Sequence, residues 1–285
     1  MTKSLSVYSH CTLDSISLHD GSFEHAGGSA CYCGITAHNL GVDVNLYTKF
    51  GPDFKSTIFD NYNITLKDST STVNTTRFKL LINNYTRTLY VLNRCEPITS
   101  VCQDSDGILV SPVLDEISPE LLADVKKKSN FIFLDPQGFN RNVDSNNVVS
   151  YVNKIPDLSD ITAVRVDSNF YNDITDTKPL QKKNVKFILF IDPQNISMLT
   201  GDRVYSMSFP NISVIDTTGA GDIFCSSFAS TYLNEKDELW ALCFAAGARQ
   251  AALDSRKIGL DKIPKRKIIE TNAVYFYNTI KFRHV

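Results

Sequence analysis

The chain has 285 residues, 42% of them hydrophobic, enough for one large α/β domain or two ordinary ones with a sizeable core. Lys and Arg number 29 against 31 Asp and Glu, and the resulting net charge of −2 offers no field to hold nucleic acid or an anionic membrane. No signal-peptide pattern precedes Leu5 and no apolar run approaches the roughly 20 residues that span a bilayer, so the expectation is a cytoplasmic protein.

Residues 5–8 read as a buried strand, 28–40 as a helix rich in small residues and 44–49 as a second strand, a β-α-β-like opening. Over 73–92 the texture changes. Thr, Asn, Tyr and Arg alternate with apolar residues, and Asn83-Asn84 reads as a turn, the pattern of a two-stranded ribbon with one exposed face. Apolar stretches at 107–111, 131–134, 163–166 and 187–191 follow, separated by helix-like segments such as 119–128. Strands alternating with helices imply a parallel sheet covered on both faces, with ligands gathering at the carboxyl ends of its strands. Asp135-Pro136-Gln137 and Asp192-Pro193-Gln194 read as two ordinary strand-ending turns, not as a repeat. The last third reads as helices over 220–233, 236–254 and 265–282.

The seven cysteines form an odd set without C-x-x-C pairing, which argues for free thiols in a reducing compartment. A zinc site drawn from His10, Cys11, Cys31, Cys33 and His38 is disfavoured, because helical spacing sets Cys31 and Cys33 about 200° apart. These cysteines are expected to be buried as small hydrophobes.

After a short apolar strand at 212–215 come Asp216, Thr217, Thr218, Gly219, Ala220, Gly221 and Asp222, and then an apolar helix over 223–233. Small residues at the mouth of a helix let backbone N–H groups close on a phosphate, and the unpaired amides and positive dipole end there favour negative charge. Asp222 falls in the first turn. A carboxylate beside a phosphate is a poor ligand for it, but is well placed to take a proton from an attacking hydroxyl. The plainer alternative is a tight strand-to-helix turn with Asp222 as its N-cap. Two aspartates bracketing two threonines and a glycine turn make a longer pattern than a cap requires, and the pairing points to phosphoryl transfer to an alcohol.

These seven residues resemble the signature of the PfkB (ribokinase-like) sugar and nucleoside kinases. Asp14 after the first strand, Gly27-Gly28-Ser29-Ala30 before a helix, Leu40-Gly41-Val42-Asp43-Val44 and Phe50-Gly51-Pro52-Asp53 stand in that family's order, and the resemblance runs over about 5–264. It implies a three-layer α/β/α sandwich with a mainly parallel central sheet, as a single domain over 1–285. A small β lid would be formed mainly by about 73–95, with part of 10–25 as a further candidate. The implied activity is ATP-dependent transfer of the γ-phosphoryl group to a hydroxyl of a small sugar, polyol or nucleoside. Asp222 would be the general base, and the amides of Gly219, Ala220 and Gly221 would hold the transferring group. Asp14, Gly27 and Gly28 would bind the acceptor, and Asp216, Thr218, Asn169 and Asn172 would lie near the nucleotide and metal. Mg2+ would accompany ATP without a dedicated protein ligand, and a monovalent cation such as K+ at the Asp216 and Thr218 backbone oxygens is left open. The ribbon would close over the substrate and exclude water; as an alternative it would pair two copies into a homodimer.

Three departures accompany the resemblance. The family's Asn-x-x-Glu reads here Asn169-Phe170-Tyr171-Asn172, the Thr and two glycines expected after 187–191 are replaced by Asp192-Pro193-Gln194-Asn195, and an expected Asn is Tyr32. They sustain a second expectation, a catalytically weakened kinase-fold protein that binds a small ligand or regulates. No G-x-G-x-x-G follows the first strand, which sets a dehydrogenase aside.

Overall fold

The computed structural model describes residues 2–18, 21–83, 86–209 and 216–285. The expected strand at 212–215 and the second residue of the Asn83-Asn84 turn lie outside the described residues. In chain order the elements are β1 (Ser4–Tyr8), β2 (Thr12–Leu18), β3 (Gly21–Gly27), α1 (Gly28–Asn39), β4 (Asp43–Tyr47), β5 (Ile64–Lys67), β6 (Thr76–Asn83), β7 (Thr86–Asn93), β8 (Gly107–Val110), α2 (Pro119–Val125), β9 (Ile132–Leu134), β10 (Arg141–Val143), β11 (Val149–Tyr151) and β12 (Ala163–Asp167). They continue as α3 (Lys178–Gln181), β13 (Phe187–Ile191), β14 (Asn195–Thr200), β15 (Arg203–Ser208), α4 (Ala220–Glu235), α5 (Glu238–Asp254), α6 (Arg266–Thr279) and β16 (Lys281–His284).

The main sheet runs β16-β15-β14-β13-β12-β9-β8-β1-β4-β5. From β13 to β5 neighbouring strands are parallel, while β14, β15 and β16 extend the edge as an antiparallel meander. Alternation along each strand explains the layers. Phe187, Leu189 and Ile191 of β13 join a core with residues of α1, α4, α5 and α6, whereas Ile188 and Phe190 join a second core with Leu121, Leu122 and Val125 of α2. Both faces of β13 are therefore buried, which is why its sequence is apolar without a break. Each such Phe, Leu or Ile contributes about 1.5–3 kcal/mol by leaving water. Small residues serve the closest contact: α1 is buried from Gly28 to Ala37 because it packs against both the sheet and its neighbour α4.

A second sheet has the order β3-β2-β6-β7. The ribbon read from 73–92 is its β6–β7 pair, and β2 and β3 bring in the 10–25 segment. Phe78 and Val91 of this sheet pack with Val113, Leu114 and Val149 of the main body. All seven cysteines are buried and free.

Two expectations need correction. The last helix does not run to residue 282: α6 stops at Thr279 and the chain turns into β16, which pairs with β15 from Arg203↔His284 to Ser206↔Lys281. Residue 236 does not open a helix either. Lys236 ends α4 in the left-handed region (φ 57°), and α5 starts at Glu238 behind Asp237, whose side chain accepts the Trp240 N–H at 2.9 Å.

Candidate active site

A cavity of about 480 Å³ opens between the two sheets at the carboxyl ends of the parallel strands. Its walls include Asp14 and Ile16 of β2, Phe78 and Leu80 of β6, Leu89 of β7, Arg165 and Asp167 of β12, and Thr218, Gly219, Gly221 and Asp222 at the start of α4.

The signature folds as a turn into the helix. The Asp216 carboxylate accepts the Thr218 N–H at 2.8 Å, Gly219 is the N-cap in the left-handed region (φ 77°), and the helix begins at Ala220. A side chain at Gly219 would be strained by that φ and would meet the ring of Tyr32, whose carbons lie 2.5 Å from an ideal Cβ. Asp222 is the third helical residue, so the N-cap alternative is corrected: its carboxylate is not spent on the helix's own amides. Instead Ser29 Oγ donates to Asp222 Oδ1 at 2.5 Å, and Ser111 Oγ lies 3.4 Å from that atom and from Asp135 Oδ2. Burial, and next the Asp135 carboxylate, push Asp222 up to about 6.

Asp135 is held in turn by Arg165, whose Nη1 donates to its Oδ2 at 2.7 Å. Burial opposes the Arg165 charge, but Asp135 above all, with Asp167 and Asp222, more than restores it, and the guanidinium stays protonated. An ideal Cβ at Gly221 would lie 2.5 Å from Arg165 Nη1, so the absence of a side chain there lets the guanidinium approach the helix mouth. The first-turn amides of α4 have no helical acceptor to reach. Ala220 N–H does turn back to Thr217 O, at 3.2 Å.

Also on the cavity wall, Asp14 sits within β2 and not beyond a strand end as the sequence order suggested. It is nearly buried, burial raises its pKa, and its Oδ1 has no hydrogen-bond partner among the described residues; the Tyr32 hydroxyl is likewise unpartnered. Gly28 lines the cavity, while Gly27 stands behind Asp14, 2.5 Å from its Oδ2 at the position of an ideal Cβ. Asn169 lines the cavity beside Asp167. Asn172 is exposed, its N–H donating to Asp176, and is not brought to the cavity wall. Asp216 is buried and faces Lys262, not the cavity. Burial alone would raise its carboxyl, but the Lys262 ammonium and the hydrogen bonds from Thr218 hold it below the usual carboxylate range.

Sequence reasoning missed Ser29's role, Ser111, Asp135, Arg165 and Lys262. Arg165 carried a usable signal, a charge inside the buried strand Ala163-Val164-Arg165-Val166. Asp135, read as an ordinary strand-end turn, shares Ser111 with Asp222.

The profile of the pfkB family carbohydrate kinase matches residues 7–266. A pyrophosphate-dependent kinase of the ribokinase family, in a sulfate complex, superposes with a TM-score of 0.80 at 21% identity, covering 94% of this chain and 99% of that one. The complex of such a kinase with a pyrophosphate analog and myo-inositol gives 0.78 at 22%, with the same coverage. Arabidopsis thaliana ribokinase complexed with ribose and ATP gives 0.75 at 17%, covering 96% and 99%. At these identities the likeness to solved structures is one of fold. Comparison with curated protein sequences gave no match. The profile spans nearly the whole chain, including both Asp14 and the Asp216 to Asp222 turn, and the chain belongs to the PfkB family of carbohydrate kinases.

Proposed function

We propose that the protein transfers the γ-phosphoryl group of ATP to a hydroxyl of a small sugar, polyol or nucleoside. One observation carries the reading: a buried carboxylate with a raised pKa, Asp222, stands in the first turn of a glycine-flanked helix mouth, on the same cavity as an unpartnered Asp14. Ser29 and Ser111 both engage Oδ1 of Asp222, so we assign Oδ2 to the incoming hydroxyl. A base near 6 is ionised at neutral pH yet more basic than an ordinary aspartate, which suits proton acceptance as the oxygen–phosphorus bond forms. The Gly219 and Gly221 amides, with Arg165 alongside, would offset the charge of the migrating group, the term that is usually largest. Asp14 would take hydroxyls of the acceptor, and Ile16, Phe78, Leu80 and Leu89 would cover its carbon face, making the small sheet a lid on the single domain.

Asp167 and Asn169 are oxygen donors on the cavity wall, a set that fits a hard cation, and they would hold Mg2+ through waters. When bound, the ion neutralises charge on the donor phosphates. The free thiols suit the cytoplasm. Phe23 and Leu92, each about half exposed on the small sheet, are the residues through which a homodimer would form.

A specific observation favours a second reading of the donor. After β13 the chain makes a tight reversal into β14, with the Asp192 carboxylate capping the Gln194 and Asn195 N–H groups at 2.7 Å, where the family brings glycines up to the nucleotide. Two of the structures alike in fold are pyrophosphate-dependent, and pyrophosphate needs no such approach. The test is a panel of sugars, polyols and nucleosides assayed with ATP for ADP release and with pyrophosphate for phosphate release, with Asp222→Asn as control. Turnover abolished by the substitution supports the transferase. Acceptor binding without turnover on either donor would leave the ligand-binding alternative in its place.

A further inference from the structure

Lys262 ends the turn Gly259–Lys262 beyond α5, and its side chain is wholly buried. Its ammonium donates to Asp216 O at 3.1 Å and Thr218 O at 2.8 Å and pairs with the Asp216 carboxylate. These are the oxygens at which the family resemblance left open a monovalent cation. An ammonium and K+ are both compact single charges that oxygen atoms surround, and one cage cannot serve both. The donors that would face a dissociable ion already face Nζ, so the residues present do not fit one.

The position has a geometric consequence. A trans peptide sets its N–H opposite to its C=O. With the Thr218 carbonyl turned to Lys262, the Gly219 N–H is turned away from it, and Thr218 and Gly219 line the cavity. The second tie, from Thr218 N–H to Asp216 Oδ1, closes the same turn. One buried charge thus fixes the residues that lead into the helix mouth.

We propose that Lys262 is a tethered replacement for the monovalent cation, a positioning residue that keeps the signature turn in its phosphate-gripping shape and makes transfer independent of K+. The proposal rests on the transferase reading above. Activity and melting are measured for the wild type, Lys262→Ala and Lys262→Gln in K+, ammonium or tetramethylammonium chloride at constant ionic strength. Wild-type turnover is expected to vary less than about twofold among the salts, whereas Lys262→Ala loses about 10²-fold in kcat and regains at least about tenfold in K+ or ammonium only. The melting temperature of Lys262→Ala should rise in K+ over tetramethylammonium, as expected of an ion that binds only the folded state, and that of the wild type should not. Activation of the wild type by K+ of about tenfold or more overturns the proposal. So do folded variants whose activity and melting ignore every cation. If neither variant folds, the wild-type salt series decides. A wild type inactive on every acceptor sinks the transferase reading, while the melting comparison still reports on Lys262.

Discussion

The surroundings of Asp222 and of Asp14 on the cavity wall, its base end and acceptor end in the proposed reaction, are built on opposite principles. Around Asp222 each polar group is fixed by another: Ser29 and Ser111 on its Oδ1, Asp135 beyond Ser111, and Arg165 on Asp135. Around Asp14 the protein leaves polar atoms incomplete, with Asp14 Oδ1 and the Tyr32 hydroxyl buried and without partners among the described residues. Buried polar groups are almost always paired, and in the proposed reading a ligand would bring the partners that the second arrangement lacks. In the proposed reaction the base end would be preorganised, which lowers the cost of reacting, and the acceptor end would be completed by what it binds, which gives selectivity.

Asp222→Asn strikes the preorganised end hardest. Turnover should fall by about 10²–10⁴ in an ADP- or phosphate-release assay. The same variant should melt higher at pH 7. Because the folded pKa of Asp222 is raised to about 6, the folded state holds an extra proton between the unfolded and folded values, and its stability declines as pH climbs through that window. Asn has no such loss, and the gain is on the order of 1–3 kcal/mol, a few degrees in Tm by calorimetry. A variant that melts lower at pH 7 and equally at pH 4 would show that the carboxylate is stabilising, and the contrast between the ends would dissolve.

Gly219→Ala tests the proposed phosphate grip of the helix mouth without touching Asp222. With φ at 77° and Tyr32 in the path of the new methyl, the turn must shift, and kcat should drop by about 10²–10³ with acceptor KM little changed. Asp14→Asn should do the reverse. Losing charge-assisted hydrogen bonds to the acceptor raises KM by about ten- to a hundredfold, and kcat falls less. Equal loss in both parameters for both variants would mean that the two ends are not separable. The smallest effect is on the acid side of the pH profile: kcat/KM should bend near pH 6 and lie about tenfold below its plateau at pH 5, because a protonated Asp222 cannot accept the hydroxyl's hydrogen. A bend near pH 4 would assign that limb to another group.

The base end was also the more legible in sequence. Asp222 and its glycines are contiguous, and a contiguous pattern at a helix start can be read without knowing the fold. Ser111, Asp135 and Arg165 come from the strand ends of β8, β9 and from β12, which only the sheet order makes neighbours. The parallel sheet was readable because strands buried on both faces are uninterrupted apolar runs. Its antiparallel edge was not: Lys281-Phe282-Arg283-His284 has no apolar run, and it becomes strand β16 only because β15 offers it an edge. Lys262 sits in an irregular turn with no periodicity to betray it, and burial of a lysine is unusual enough to need partners such as the Asp216 and Thr218 oxygens, which the sequence does not place beside it.

The hydrogen bond from Ser29 to Asp222 joins residues 193 positions apart. A chain still emerging from the ribosome carries Ser29 early, yet Asp222 is not added until more than three quarters of the polypeptide has been made. In the proposed transferase, catalytic competence would thereby be withheld from every shorter translation product, and turnover would report that synthesis has run past the α4 segment.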